Sequence, residues 1–403
     1  MNTTDLTPLP ARPSLEQYKK QAKDFVKLAR SSDSGVFERI RKYHPHPASL
    51  GAKFALADAQ LVIAREHGFE SWPKFAKHIE GLALENSPVS QFELAADAIV
   101  TGDTAALESL LRENPNLIRV RSTRVHRATL LHYVGANGFE NYRQKSPKNA
   151  VEIAKILLDA GAEVDAVADA YGKDTTLGLV ATSIHPKQAG VQIALMETLL
   201  DYGAAIDGAP GEGSPLIAAL HNGRPQAAEF LAGRGARLDL EGAAGVGRLD
   251  VVESFFNDDG SLKTSATPAQ MNAGFLWACE YGRNSVVEFL LKNGADLRAG
   301  ENTGMTGLHW AVVGGQLDTI QLLLERGAPL DAKNVYGGTA LGQALWSAIN
   351  GGPGIDYVPI IETLIDAGAE IAPGSLGWLE REGRSSPAKV QIAEVLRRHG
   401  ARS

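Results

Sequence analysis

The sequence predicts an all-α protein built by stacking short helix-turn-helix repeats. Two observations carry this. A Gly-Ala pair closes an apolar helical run seven times, at Gly161-Ala162, Gly203-Ala204, Gly235-Ala236, Gly294-Ala295, Gly327-Ala328, Gly368-Ala369 and Gly400-Ala401. The steps between pairs are 42, 32, 59, 33, 41 and 32 residues, so three of them nearly coincide. The second observation is physical. A unit of two short helices cannot bury its own apolar face, so neighbouring units must stack to bury it.

Composition narrows the class. The chain has 403 residues, enough for one long repeat array, and a formal net charge of −7. That charge argues against nucleic acid or an anionic membrane as the main partner. Residues 1–85 hold thirteen Lys and Arg against ten Asp and Glu, so +3 sits there and −10 on the remainder. Cys279 is the only cysteine. It cannot form a disulfide within the chain, which fits a reducing cytoplasm. No basic stretch followed by an apolar one suggests a signal peptide, and no run of about 18 apolar residues suggests a membrane span.

The elements follow in order. Residues 1–13, rich in Thr and Pro, are expected to be flexible. Ser14 with Gln17 forms a capping-box pattern before a helix in which Leu15, Tyr18, Ala22, Phe25 and Leu28 recur at helical spacing. A second helix is predicted over Ser34–Tyr43, ended by His44-Pro45-His46-Pro47 because proline cannot continue a helix. A third spans about Leu56–His67 and stops at Gly68. A fourth begins at Ser71 with Pro73 in its first turn and runs to about Leu84. Ser87-Pro88 marks the boundary with the array, which begins at Phe92. The domains are therefore 1–87 and 88–403.

The stretch Glu301–Asn334 is the best preserved repeat. It has a turn, an apolar helix at Leu308–Val313, a Gly314-Gly315 break, a second helix at Leu317–Leu324 and the closing Gly327-Ala328. Its segment Thr306-Gly307-Leu308-His309-Trp310-Ala311 resembles the ankyrin-repeat signature Thr-Pro-Leu-His-x-Ala, with Gly in place of Pro. The 42 and 41 steps are one repeat plus insertions near His185–Val191 and Ile349–Tyr357. The 59 step contains a degenerate repeat around Ala243–Val252, whose preceding turn must be shortened. A further insertion lies at Phe139–Asn149. The count is about eight repeats plus a capping helix at Gln391–Ala401. Residues 14–84 are similar to a short helical module that precedes some bacterial ankyrin arrays, which implies a bacterial source.

Residue types with chemical potential have structural readings. Cys279 occupies an Ala position of the repeat and is expected to be a buried small hydrophobe. His309 and His132 occupy the signature His position, where the resemblance implies bonding to backbone of adjacent repeats. His44 and His46 have no further ligands at metal spacing, and the glycine-rich pieces near Gly211 and Gly245 lack the strand and Lys-Ser/Thr of a phosphate loop. Lys19, Lys20, Lys23 and Lys27 form a basic helix face without interleaved aromatics, so a stacking platform for single strands is missing.

In the family, partners contact the concave surface made by turn tips and by the exposed end of each first helix. Carried over onto this sequence, that surface holds Tyr171, Tyr281, Asn302, Thr303, Met305, Tyr336 and Trp346. Aromatic side chains suit such anchoring because they offer large rigid area. Tyr281, Met305, Tyr336 and Trp346 are expected along one stripe. The resemblance implies a scaffold that binds another protein; the lone cysteine adds the expectation of a cytoplasmic chain, and the lack of a catalytic or ligand motif that of a noncatalytic one without cofactor or metal, expected to be monomeric. The rival expectation is a nucleic-acid-binding or regulatory role for the basic N-terminal module.

Overall fold

The computed structural model describes residues 6–30, 34–49, 54–171, 173–211, 213–351, 354–381 and 387–401. They fall into two compact units, Met1–Gly235 and Ala236–Ser403, and the structure is all-α.

The first unit opens with α1 (Leu15–Arg30), α2 (Ser34–Tyr43), α3 (Leu56–Glu66) and α4 (Trp72–Leu82). Their apolar faces form one cluster that includes Tyr18, Phe25, Phe54, Val62, Phe69, Phe75 and Ile79. Tyr18 meets the edge of Phe75 at 4.8 Å between ring centres. Such edge-to-face pairs add to the burial itself. Of the segment expected to be flexible, residues 1–5 lie outside the described residues. Leu6 is buried, and Thr7 is tied at both ends of its peptide: its N–H donates to the Glu66 carbonyl (2.8 Å) and its carbonyl lies 2.7 Å from His67 Nδ1.

Ser87 then caps α5 (Pro88–Thr101), its Oγ accepting from Ser90 N at 3.0 Å, with Pro88 in the first turn. α6 (Thr104–Glu113) completes the first repeat. The second repeat begins with a 3-10 turn, Leu130–Gly135, followed by α7 (Ala150–Asp159). A two-residue hairpin pairs Val167–Ala168 with Asp174–Thr175. Next come α8 (Thr176–Thr182), the inserted α9 (Ile184–Ala189) and α10 (Gln192–Asp201), then the pair α11 (Pro215–His221) and α12 (Pro225–Gly233).

The second unit continues the plan. It comprises α13 (Leu240–Val246), α14 (Leu249–Glu253), α15 (Pro268–Glu280), α16 (Asn284–Lys292), α17 (Gly307–Val313), α18 (Leu317–Glu325), α19 (Ala340–Asn350) and α20 (Val358–Asp366). A terminal pair follows, α21 (Ser375–Arg381) and α22 (Pro387–Arg398), where one capping helix is expected from sequence. α13 is the degenerate repeat. With no room for a full turn, it starts on Asp239, whose carboxylate accepts from Gly242 N at 2.8 Å. One continuous core runs through these helices, from Leu240 and Val252 through Leu290 and Ile320 to Ile361 and Leu396.

The Gly-Ala mark has a clear cause. Gly294 has φ 94, and the following Ala295 N–H reaches back to the Leu290 carbonyl at 2.9 Å. This is a helix C-terminus closed by a left-handed residue, which satisfies carbonyls that the helix leaves open. No atom lies within 4 Å of where a Cβ at Gly294 would point, so any penalty there is purely conformational. Gly294→Val should cost about 1–2 kcal/mol in urea denaturation, from the left-handed backbone alone. An unchanged midpoint would show that the chain relaxes around it.

The signature histidine acts as a tie between repeats. His309 Nδ1 accepts from Thr306 N at 3.3 Å, so Nε2 carries the proton and donates to the Gly338 carbonyl of the next repeat at 3.2 Å.

Stacked repeats take their core from neighbours, so residues 88–403 are expected to keep their helical circular-dichroism signal without residues 1–87. Loss of that signal would make α1–α4 a required cap.

Candidate functional site

In the second unit, successive turn tips are coupled through backbone. Asn334 Oδ1 accepts from Tyr336 N (3.0 Å) and Gly338 N (2.9 Å), which folds the tip into a tight side-chain-closed turn. Val335 N donates to Thr303 O at 2.8 Å, fixing this tip to the preceding one. The turn thrusts Tyr336 outward, 84% exposed. Trp346 projects from α19 and is 53% exposed.

Between tip and helix lies a groove of about 880 Å³, walled by Met305, Trp310, Tyr336, Trp346, Ile355 and Tyr357. Asn334, Gln343 and Ser347 contribute its polar edge, and no charged side chain among the described residues lines it. Tyr357 is anchored by its hydroxyl on the Val313 carbonyl at 3.4 Å. Ile355 packs so closely over Gly315 that a Cβ there would come within 2.6 Å of its Cγ2. Trp310 Nε1 is buried with no hydrogen-bond partner among the described residues. A partnerless donor beside an uncharged cavity is costly unless something supplies an acceptor.

Of the seven residues expected from sequence, six lie in the second unit and Tyr171 in the first. Met305, Tyr336 and Trp346 do meet in this groove. Met305, however, is only 9% exposed and forms a wall of the groove, whereas a solvent-facing contact is expected; the turn at Gly304 folds it inward beside the helix start. Tyr281 is half-buried and stacks on Trp277 (ring centres 6.0 Å, planes 6° apart), and Trp277 in turn tilts against Trp310 at 6.2 Å. It therefore ends an aromatic row leading to the groove without lining it. Asn302 is exposed and Thr303 half-buried at the tip, neither in the groove wall.

Tyr171 belongs to the first unit and a different setting. It borders a polar cleft of about 450 Å³ with Asn137, Thr182, Ser183, His185 and Arg224. Its hydroxyl donates to Asn137 Oδ1 at 3.3 Å, and Asn137 Nδ2 donates to Thr182 Oγ1 at 2.9 Å.

Sequence reasoning missed a buried charge network in the first unit. Arg124 Nη1 contacts Glu93 Oε1 at 2.5 Å and Arg143 Nη1 contacts Glu93 Oε2 at 2.7 Å. Glu140, fully buried, lies 3.2 Å from Arg124 Nε and 3.3 Å from the Tyr133 hydroxyl. Burial alone would raise the Glu93 carboxyl, but Arg124 and Arg143 outweigh it and hold it well below the usual carboxylate range. Arg124 also lies over the Phe69 ring, and Val125 N donates to the Gly68 carbonyl, so the network locks α1–α4 to the first repeats. No sequence signal marks it: that Glu93 is buried while its neighbour Leu94 is 56% exposed is evident only in the folded chain. The Phe139–Asn149 insertion supplies Glu140 and Arg143 to this interior.

Cys279 is fully buried, and burial pushes its thiol well above the ordinary range, so it is no nucleophile. Among the described residues no group of three or more His, Cys, Asp and Glu is placed to hold a metal, and no helix is long and apolar enough to cross a membrane.

Residues 240–334 and 275–373 each match the family model described as ankyrin repeats (3 copies). Residues 240–373 therefore carry ankyrin repeats, an all-α solenoid class in which repeats rather than one closed core carry the fold. No curated protein matches the chain. Among solved structures it is similar to the human ASB11 ankyrin repeat domain at 24% identity, covering 69% of this chain and 99% of that one with a TM-score of 0.36.

Two buried imidazoles set a pH dependence. Burial first, and the nearby Arg124 second, hold His78 down to about 4; burial and then Arg121 hold His132 down to about 3. The unfolded chain binds these protons near pH 6.5, and the folded chain does not until well below it. Their contribution is therefore full above about pH 6.5 and is lost as pH falls, by up to about 1.4 kcal/mol per pH unit for each ring. Urea midpoints at pH 7, 6 and 5 should decline; a flat profile would contradict the assignment.

Proposed function

We propose that this chain is a noncatalytic scaffold whose second unit binds an uncharged, apolar segment of a partner protein in the groove between Tyr336 and Trp346. Ankyrin repeats generally mediate protein–protein interaction. The observation that carries the finer reading is the groove itself, large, aromatic-walled and free of charged lining. Pockets of about 300–1,000 Å³ with few placed polar groups suit a small set of buried side chains. Exposed Trp346 and Tyr336 supply the rigid anchors. A charged segment is disfavoured because nothing in the lining would offset its desolvation. The cytoplasm is the proposed compartment, supported by a lone cysteine held as a buried thiol.

Selection of binding peptides from a random display library against the full chain tests this. Selected sequences should share an uncharged aliphatic or aromatic core. Trp346→Ala should weaken the best peptide by about 2 kcal/mol or more, as truncation of binding anchors does. Folding stability should move by only about 0.5 kcal/mol, because a side chain facing solvent leaves no core cavity. A large drop in melting temperature with unchanged affinity per folded molecule would end the proposal.

A further inference from the structure

A second site lies within the first unit, at the joint between α4 and the first turn of the array. Lys74 and Lys77 lie three residues apart on α4 and so share a face. Facing them is the turn Arg121–Ala128, closed by Ser122 N donating to the Ala128 carbonyl at 2.8 Å. Arg127 in that turn takes a left-handed backbone (φ 52), unusual for a residue with a side chain. Together they border a cavity of about 340 Å³ lined by Lys74, Lys77, Arg121, Arg124 and Arg127, with Glu70 as the only carboxylate among the described residues.

The charges do not cancel. Lys74 is paired with Glu70, and Arg124 is committed to Glu93 and Glu140 behind the wall. Lys77 and Arg127 have no carboxylate partner among the described residues. Arg121 is oriented by Nη1, which donates to the Val167 carbonyl (2.7 Å) and the Arg127 carbonyl (3.1 Å). Its Nε and Nη2 take no partner among the described residues. His78 forms part of the wall; its Nδ1 lies 2.7 Å from Thr123 Oγ1, and its Nε2 is buried without a partner. Burial and Arg124 hold that ring neutral at pH 7, so it adds no charge to the cavity.

We propose that this cavity binds a phosphate monoester, held by Lys77, Arg121 and Arg127. Two guanidinium forks and an ammonium converging on one small cavity match a compact dianion better than a single carboxylate. No Phe, Tyr or Trp lines it, so it lacks the stacking surface a nucleic-acid strand would use. The site needs both α4 and the first repeat, which gives the N-terminal helices a role in recognition.

Isothermal titration of the full chain with O-phosphoserine and with adenosine monophosphate tests the site and tells a phosphopeptide source from a nucleotide source. Saturable one-to-one binding of either is the expected result. The exposed-site double variant Lys77→Gln/Arg127→Gln, checked by circular dichroism, should weaken it about tenfold or more, since two charge-assisted contacts are lost. Lys20→Gln/Lys23→Gln on α1 should leave it unchanged. The proposal is overturned by any of three outcomes: no saturation by either probe below about 10 mM, equal weakening in both double variants, or equally tight binding of serine itself. Duplex DNA binding that survives Lys77→Gln/Arg127→Gln would also assign the charge elsewhere.

Discussion

No repeat in this chain can bury its own apolar face, and most of the structure follows from that constraint. Two helices of about ten residues are too short to be stable alone in water. Each must present its apolar stripe to the helices before and after it. The core of the second unit is therefore a continuous line from Leu240 to Leu396, with no centre. Stacking also demands a sharp, reproducible exit from each second helix. The left-handed glycines and the Ala N–H that reaches back five residues provide it. His309 adds a directional bond, closing one repeat on the backbone of the next.

The two units spend their solvent-facing residues differently. In the second, Tyr336 and Trp346 stand over an uncharged groove, and polar groups sit at its edge. In the first, the corresponding positions Asn137, Thr182, Ser183 and Asn222 line a polar cleft. Cations gather further back, against α4. One repeat plan thus carries three chemically distinct surfaces, because stacking fixes only the inward side chains and leaves the outward ones free to vary.

The buried ion network shows what joins the N-terminal helices to the array. Removing charges such as Glu93 and Arg124 from water is expensive unless each finds a partner of opposite sign and hydrogen bonds. Here Arg124 and Arg143 are set against Glu93 and Glu140, with Asp97 at the edge. Such a network tolerates little displacement, so it specifies one seating of α4 and the first turn. That rigidity also places Arg121 and Arg127 opposite Lys77.

Helix positions, the repeat period and the closing glycines were legible in the sequence because they depend on local spacing. Ser34–Tyr43 is found with the bounds read from the sequence, and Gly294 takes the left-handed conformation that its place after an apolar helix requires. The burial of Cys279 and the tie made by His309 were legible for the same reason, since the motif fixes which face each residue occupies. What an insertion does was not legible. Phe139–Asn149 reads only as an insertion, yet Glu140 and Arg143 enter the interior because Arg124 awaits the first and Glu93, fifty residues away, the second. Nor could spacing tell that Met305 folds inward while Tyr336, in the next turn, points out. The Asn334 side chain closes its own turn, but the bond from Val335 N to the Thr303 carbonyl fixes that turn against the preceding one, and this contact exists only once the repeats have stacked.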